Sequence, residues 1–322
     1  MKLLKLVPDN TNIRFLRWRV PFYAISLLLM AASLALVFTK GLNLGVDFVG
    51  GQSIRVTFAE ATAPVAQVRE EIDALGYGEP IIQQVGDPNQ VTIRMKLPDA
   101  AQAGLAEQMV RDMRTTLEQH HPGVEIGSAR AVSGKVSDEL FRWGMISLAL
   151  AMVGISIYIW VRFEWQFGVG ALFALAHDVT LTLGLFALTG MEFDLNIVAA
   201  ILTLIGYSLN DTIVIYDRIR ENLKKYRKMP LPELLDLSVN ETLSRTVVTS
   251  SSVLITLLAL LLLGPDVIFG FTAAITLGIF VGTYSSIYMS APILIWLGVT
   301  QDSFVPSESR ADTQDRRARG QA

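Results

Sequence analysis

Several windows of about 20 consecutive residues carry almost no charge, and a helix of that length crosses the hydrocarbon core of a bilayer. These windows fall at residues 20–38, 143–161, 167–188, 197–216, 247–263 and 271–297, giving six candidate spans. Composition agrees: 51% of the 322 residues are hydrophobic and 18% are charged, against roughly 45–50% and 25% in a soluble domain. A soluble enzyme is excluded. The chain contains no cysteine, which removes disulfide scaffolds, thiolate metal sites and cysteine nucleophiles. With three histidines, no metal centre is expected. The last window is longer than one crossing needs and holds Pro292, which supplies no N–H, so a tilt or kink is expected there.

Basic residues set the orientation. Lys2, Lys5, Arg14, Arg17 and Arg19 precede the first span, and Arg218, Arg220, Lys224, Lys225, Arg227 and Lys228 lie between the fourth and fifth. Arg310, Arg316, Arg317 and Arg319 follow the sixth, whereas loops 189–196 and 264–270 hold no Lys or Arg. The positive-inside rule therefore places both termini in the cytoplasm and residues 39–142 outside. Ser33 and Ala35 offer a weak cleavage site, but the apolar run is longer than the ~7–15 residues of a signal core, so an uncleaved anchor is expected. Residues 1–19 are a cytoplasmic N-terminus, 143–297 a five-helix bundle, and 298–322 a cytoplasmic tail whose Ser, Asp and Arg content predicts disorder.

The outside segment reads by period. Strands are predicted at 53–59, 81–85, 90–97 and 124–132 and helices at 63–75 and 101–119, with a turn at Gly86-Asp87-Pro88-Asn89. That order is the split βαβ, or ferredoxin-like, arrangement. The expected fold class is thus an α-helical membrane protein of six transmembrane helices with an α+β ferredoxin-like extracytoplasmic domain.

Ionisable groups inside a membrane helix cost about 2.5–3.5 kcal/mol at its centre and need a reason. Asp211 lies in the fourth span, where helical spacing gathers Thr203, Tyr207, Ser208, Asn210 and Asp211 into one polar sector. Arg245, Thr249, Ser252 and Thr256 recur at i, i+4, i+7 and i+11 in the fifth span, a cation leading into a line of hydroxyls. Asp211 is expected to pair with Arg245, because a charge pair costs less at that depth than either charge alone. Asp178, beside His177 in the third span, has no basic residue evident at its level. Two readings stay open: a structural pair with a permanently neutral Asp178, or a protonatable relay of Asp211, Arg245 and Asp178 supported by Asn210, Ser208, Tyr207, Thr249 and Ser252.

Weaker signals are Gly278 and Gly282, spaced for close helix packing, and His120-His121 before Pro122, read as a helix cap rather than metal ligands. Asp217, Arg218, Arg220 and Glu221 read as an interfacial salt-bridge network. The basic loop is suited to anionic headgroups or a cytosolic partner. No HExxH, Walker A or GxSxG pattern occurs, so metalloprotease, ATPase and hydrolase chemistry lack their residues, and any energy used is expected from an ion gradient.

Four motifs carry a family resemblance: Gly41-Leu42-Asn43-Leu44-Gly45-Val46-Asp47-Phe48-Val49-Gly50-Gly51, Ala176-His177-Asp178-Val179, Gly206 to Thr212 with Tyr216 to Asn222, and Asn240 to Thr246. Together with one span, an outside domain and five further spans, they resemble the SecF family of bacterial protein-export subunits, which belongs with SecD to the RND-type transporters. The resemblance implies a non-enzymatic subunit of the cytoplasmic (inner) membrane that works with SecD, YajC and the SecYEG channel on a translocating preprotein, using the proton motive force. It further implies that Asp211 and Arg245 are the proton-pathway residues, that Asp178 is the third-span polar position, and that H+ is the coupling ion with no cofactor, metal or nucleic acid. As this chain ends after six spans, the resemblance implies a separate subunit that needs SecD for its second set of spans. On their own chemistry, Gly41, Gly45, Gly50 and Gly51 permit positive φ or tight turns and Asp47 can accept from backbone donors, so the segment is either a hinge or a rigid link. An RND-like exporter of small or lipidic substrates and a purely structural clamp for the translocon are the alternatives.

Overall fold

A computed structural model describes residues 8, 11–85, 87–96 and 104–300. The expectations for Lys2, Lys5, Gly86, the ends of the strand and helix at 97 and 101–103, and the tail from 301 onward lie outside the described residues. In chain order the elements are α1 (Arg19–Thr39), β1 (Asn43–Leu44), α2 (Val46–Val49), β2 (Gly51–Thr57), α3 (Val65–Asp73), β3 (Ile81–Gln84), β4 (Gln90–Met95), α4 (Leu105–His120) and β5 (Glu125–Val132). They continue with α5 (Gly134–Arg162), α6 (Trp165–Thr189), β6 (Glu192–Phe193), α7 (Leu195–Lys225), α8 (Leu231–Leu263), α9 (Phe269–Ser285) and α10 (Ala291–Trp296). Two compact units result, one of residues 42–150 with 189–198, the other comprising the remaining described residues.

In the first unit, strands β3-β4-β2-β5 form an antiparallel sheet in that order. It is the predicted ferredoxin-like topology. Alternation along β2 and β4 turns Ile54, Val56, Val91, Ile93 and Met95 toward α3 and α4, which return Val68, Ile72, Met109, Met113 and Leu117. His121 caps α4, its backbone N–H donating to Leu117 O at 2.8 Å. Both predicted cap histidines also meet a carboxylate that sequence spacing did not reveal: His121 Nε2 lies 3.0 Å and His120 Nδ1 3.4 Å from Glu71.

The glycine segment belongs to this unit and is tied down along its length. β1 pairs in parallel with β6, and Gly45 N–H donates to Phe193 O at 2.9 Å. Buried Arg94 donates to Leu44 O, Asn43 Oδ1 and Gln83 Oε1. Asn43 Nδ2 donates to Gly190 O at 2.8 Å. Asp47 accepts at 3.1 Å from the N–H of Leu195, the first residue of α7, where a helix has N–H groups without internal partners. Burial pushes the Glu192 carboxyl above the ordinary range, an effect that Arg94 opposes.

Of the four glycines, Gly41, Gly50 and Gly51 have φ of 77°, 68° and 108°. Gly45 does not, with φ −70°. Its constraint is space, since a Cβ there would lie 2.9 Å from Glu192 Oε1.

The second unit is built of helices, and among the described residues six helices are long and apolar enough to cross a membrane. Each overlaps one of the windows read from the sequence, and α5, α7 and α8 extend well beyond theirs. At about 1.5 Å per residue, the 31 and 33 residues of α7 and α8 span roughly 46 and 50 Å, well beyond a core of about 30 Å. Much of the predicted loop between spans four and five is therefore helix. The sixth span is continuous but changes register just before Pro292: α9 passes into a π-helical segment, Ser286–Ser290, and then α10. Two tyrosines occupy carbonyls of that segment, Tyr23 OH donating to Met289 O and Tyr216 OH to Ser290 O at 3.1 Å.

Small residues set the helix approach. A Cβ on Gly278 would strike Leu204, one on Gly184 would strike Ser33, and one on Gly282 would sit 3.1 Å from Ser208 Cβ.

Candidate intramembrane carboxylate site

Four helices converge on two carboxylates. Asp178 in α6 is 0% exposed and has a polar partner at both oxygens. Oδ1 lies 2.9 Å from His177 Nδ1, while Oδ2 accepts from Ser208 Oγ of α7 at 2.6 Å and from Ser285 Oγ of α9 at 2.9 Å. A buried carboxylate with this many partners ties three helices at one point. His177 Nε2 is buried and has no partner among the described residues.

Asp211 in α7, three residues after Ser208, is 4% exposed. Its Oδ2 lies 3.5 Å from Ser250 Oγ of α8, and Ser250 Oγ lies 2.8 Å from Thr283 Oγ1 of α9. The expected ion pair with Arg245 is not formed, for no nitrogen of Arg245 comes within 4.0 Å of the carboxylate. Arg245 is exposed. The reason is helical phase: the inward face of α8 here consists of Thr242, Thr246 and Ser250, and Arg245 lies off that face.

The predicted polar sector is likewise divided. Ser208 and Asp211 are buried, Tyr207 is half-buried with its hydroxyl lacking a partner among the described residues, and Asn210 is exposed. In α8, Thr249 and Ser252 are exposed with Arg245, and Thr249 Oγ1 donates to Arg245 O at 2.9 Å. Asn210, Arg245, Thr249 and Ser252 thus form exposed polar positions on membrane helices, beside the buried Asp211.

Beyond the membrane core, Arg218 bonds Glu221 and Glu241, each at 2.7 Å, and Arg162 bonds Asp217 at 2.9 Å. Asn222 Nδ2 donates to Glu241 at 2.7 Å and to Ser238 at 3.0 Å, closing the α7–α8 hairpin. Glu164, between α5 and α6, has its carboxyl raised by burial against the pull of Arg220 and Lys224.

Sequence reasoning did not single out Ser250, Thr283 or Ser285. The signal for the last two was present, since Thr283-Tyr284-Ser285-Ser286 is a polar run inside an otherwise apolar span. Ser250 differs from Thr249 only in helical phase, which the exposed stripe at 245, 249 and 252 concealed.

Similarity to known proteins falls on these same segments. Residues 112–300 match the family described as "Protein export membrane protein SecD/SecF, C-terminal", and residues 35–62 match the "SecD/SecF GG Motif". The chain is 45% identical over 318 residues to a "Protein translocase subunit SecF" of Cereibacter sphaeroides, covering 97% of each chain. It is 44% identical over 310 residues to that of Rhodobacter capsulatus, covering 93% of each. Among solved structures, the translocon-associated membrane protein SecDF from Thermus superposes with a TM-score of 0.79 at 35% identity, over 90% of this chain and 39% of the longer SecDF chain. With the GG segment, the buried carboxylates and the split six-helix order all placed within these matches, the chain belongs to the SecF family of protein-translocase subunits.

Proposed function

We propose that this chain is a subunit of the Sec protein-export machinery of the bacterial cytoplasmic membrane, which with SecD uses the proton motive force in late steps of preprotein translocation. YajC and the SecYEG channel complete the assembly, both termini are cytoplasmic, and H+ is the coupling ion. No chemical step is catalysed by the chain; its work is done by helix packing that responds to a proton.

One observation carries this reading. Asn210, Arg245, Thr249 and Ser252 are exposed on membrane helices next to buried Asp211. A guanidinium and a side-chain amide at that depth, unlike hydroxyls that can bond their own helix, are stable only against protein or water. A second set of spans packed there, as SecD would supply, encloses a polar path that reaches Asp211. Protonation would remove the charge that Arg245 feels, and one elementary charge moved through ~100 mV is worth about 2.3 kcal/mol, enough to shift a helix-packing equilibrium.

Because the chain has no cysteine, Asn210→Cys and Ser252→Cys each place a single thiol on this face. The expected result is cross-linking of both positions to SecD in membranes. Cross-links to lipid probes alone, with export intact, contradict the reading. Cross-linking to a second copy of this chain instead supports the small-substrate exporter.

A further inference from the structure

The two carboxylates share a neighbour that the relay does not use. Each hydroxyl on α9 near them carries one hydrogen but has two acceptors in reach. Thr283 Oγ1 lies 2.9 Å from Ile279 O and 2.8 Å from Ser250 Oγ, and Ser250 Oγ lies 3.5 Å from Asp211. Ser285 Oγ lies 3.1 Å from Gly282 O and 2.9 Å from Asp178 Oδ2. One hydrogen serves one acceptor well, so the choice depends on what the carboxylate demands.

With Asp211 ionised, Ser250 donates to it and Thr283 donates to Ser250, leaving Ile279 O without the hydroxyl. With a proton on Asp211, the carboxyl donates to Ser250, Ser250 donates to Thr283, and Thr283 donates to Ile279 O. Asp178 behaves alike: ionised, it holds the Ser285 hydrogen; protonated, it releases that hydrogen to Gly282 O. The arriving proton stays on the carboxyl and every hydroxyl keeps its own hydrogen, so only orientation changes and no charge travels along the chain. Both events end on carbonyls three residues apart on one turn of α9.

We infer that Thr283 and Ser285 make α9 the common reader of the two intramembrane carboxylates, turning a proton on Asp211 or Asp178 into hydrogen bonds on the backbone of α9. This rests on the proton-coupled reading above and deepens it. Side-chain donation to i−3 and i−4 carbonyls bends helices, and α9 runs directly into the π segment Ser286–Ser290, a place where a helix changes register readily. Gly278 against Leu204 and Gly282 against Ser208 leave no slack between α9 and α7, so a bend is transmitted. The other titratable group facing these carboxylates is His177 on α6 for Asp178, with the Tyr284 ring of α9 6.1 Å from the imidazole; Arg245 on α8 lies off the face that meets Asp211. Thr283 and Ser285 are positioning residues.

The test uses vesicles carrying the whole export complex and reads the ratio of gradient-dependent to gradient-independent export, with its pH profile, for Thr283→Val, Thr283→Ser, Ser285→Ala and Asp211→Asn. Thr283→Val and Ser285→Ala are each expected to lower the ratio about five-fold or more and to flatten its pH dependence. Thr283→Ser, which keeps the hydroxyl, restores both. An unchanged ratio in Thr283→Val overturns the inference, as does a loss of both components together with loss of SecD co-purification. If Asp211→Asn lowers the ratio and Thr283→Val does not, only this inference fails; if Asp211→Asn leaves it unchanged, the proton-coupled reading itself has failed.

Discussion

Vesicles in which Asp211→Asn replaces the native chain are expected to lose the gradient-dependent part of export while retaining association with SecD. The amide has nearly the shape of the carboxylate, and its oxygen can still accept from Ser250 Oγ, now 3.5 Å from Asp211. What disappears is the ability to gain and lose a proton at a 4% exposed position inside the bundle. Packing is scarcely altered, and because no ion pair to Arg245 exists, none is broken. The expected fall is about 5- to 150-fold, the range of ordinary coupling free energies. A structural clamp predicts the opposite pattern, with association weakened and no selective effect on the gradient-dependent part. Export of a secreted reporter and co-purification with SecD, measured on the same vesicles, separate the two.

Gly51→Val is expected to have the largest effect on folding. Gly51 has φ 108°, a conformation costing a branched residue about 1–3 kcal/mol. A Cβ there would also collide with the backbone carbonyl of Met95, which lies in the β4 strand paired with β2. That carbonyl cannot withdraw without opening the ladder from Gln52↔Met95 onward. Set against a domain stability of about 5–15 kcal/mol, strain and clash together should leave the outside domain open to protease and the chain depleted from membranes. Gly41→Ala is the control, since Gly41 has φ 77° but its added methyl would meet nothing within 4 Å. Its cost should stay near the roughly 1–2 kcal/mol of a left-handed residue. Limited proteolysis of both variants in membranes measures the difference; equal resistance would show that the approach to Met95 sets no limit.

Much of the architecture is readable without coordinates because its causes are local. Charge-free windows mark the spans, period-2 and period-3.6 patterns mark the outside domain, and Pro292 marks the irregular turn in the sixth helix. The short β1 and β6 strands are not readable, since two residues each make no pattern and their pairing joins segments almost 150 positions apart. Asp178 and Asp211 stand out because carboxylates are costly in apolar helices. Their partners do not. A serine or threonine is ordinary in a membrane helix, and a phase difference of one residue, as between Thr249 and Ser250, decides whether its hydroxyl faces Asp211 or the outside. Register and phase together account for the missing Asp211–Arg245 pair: Ser250 is the α8 residue that meets Asp211, while Arg245 lies five residues away and off the inward face.

The most direct measurement follows reporter export at fixed ATP supply in vesicles with and without this chain, before and after the proton gradient is collapsed by an ionophore. The account predicts that the increment due to the chain is present with the gradient and vanishes when it is collapsed, and that removal of a sodium gradient alone leaves it intact. An increment that survives full loss of the proton gradient would contradict it.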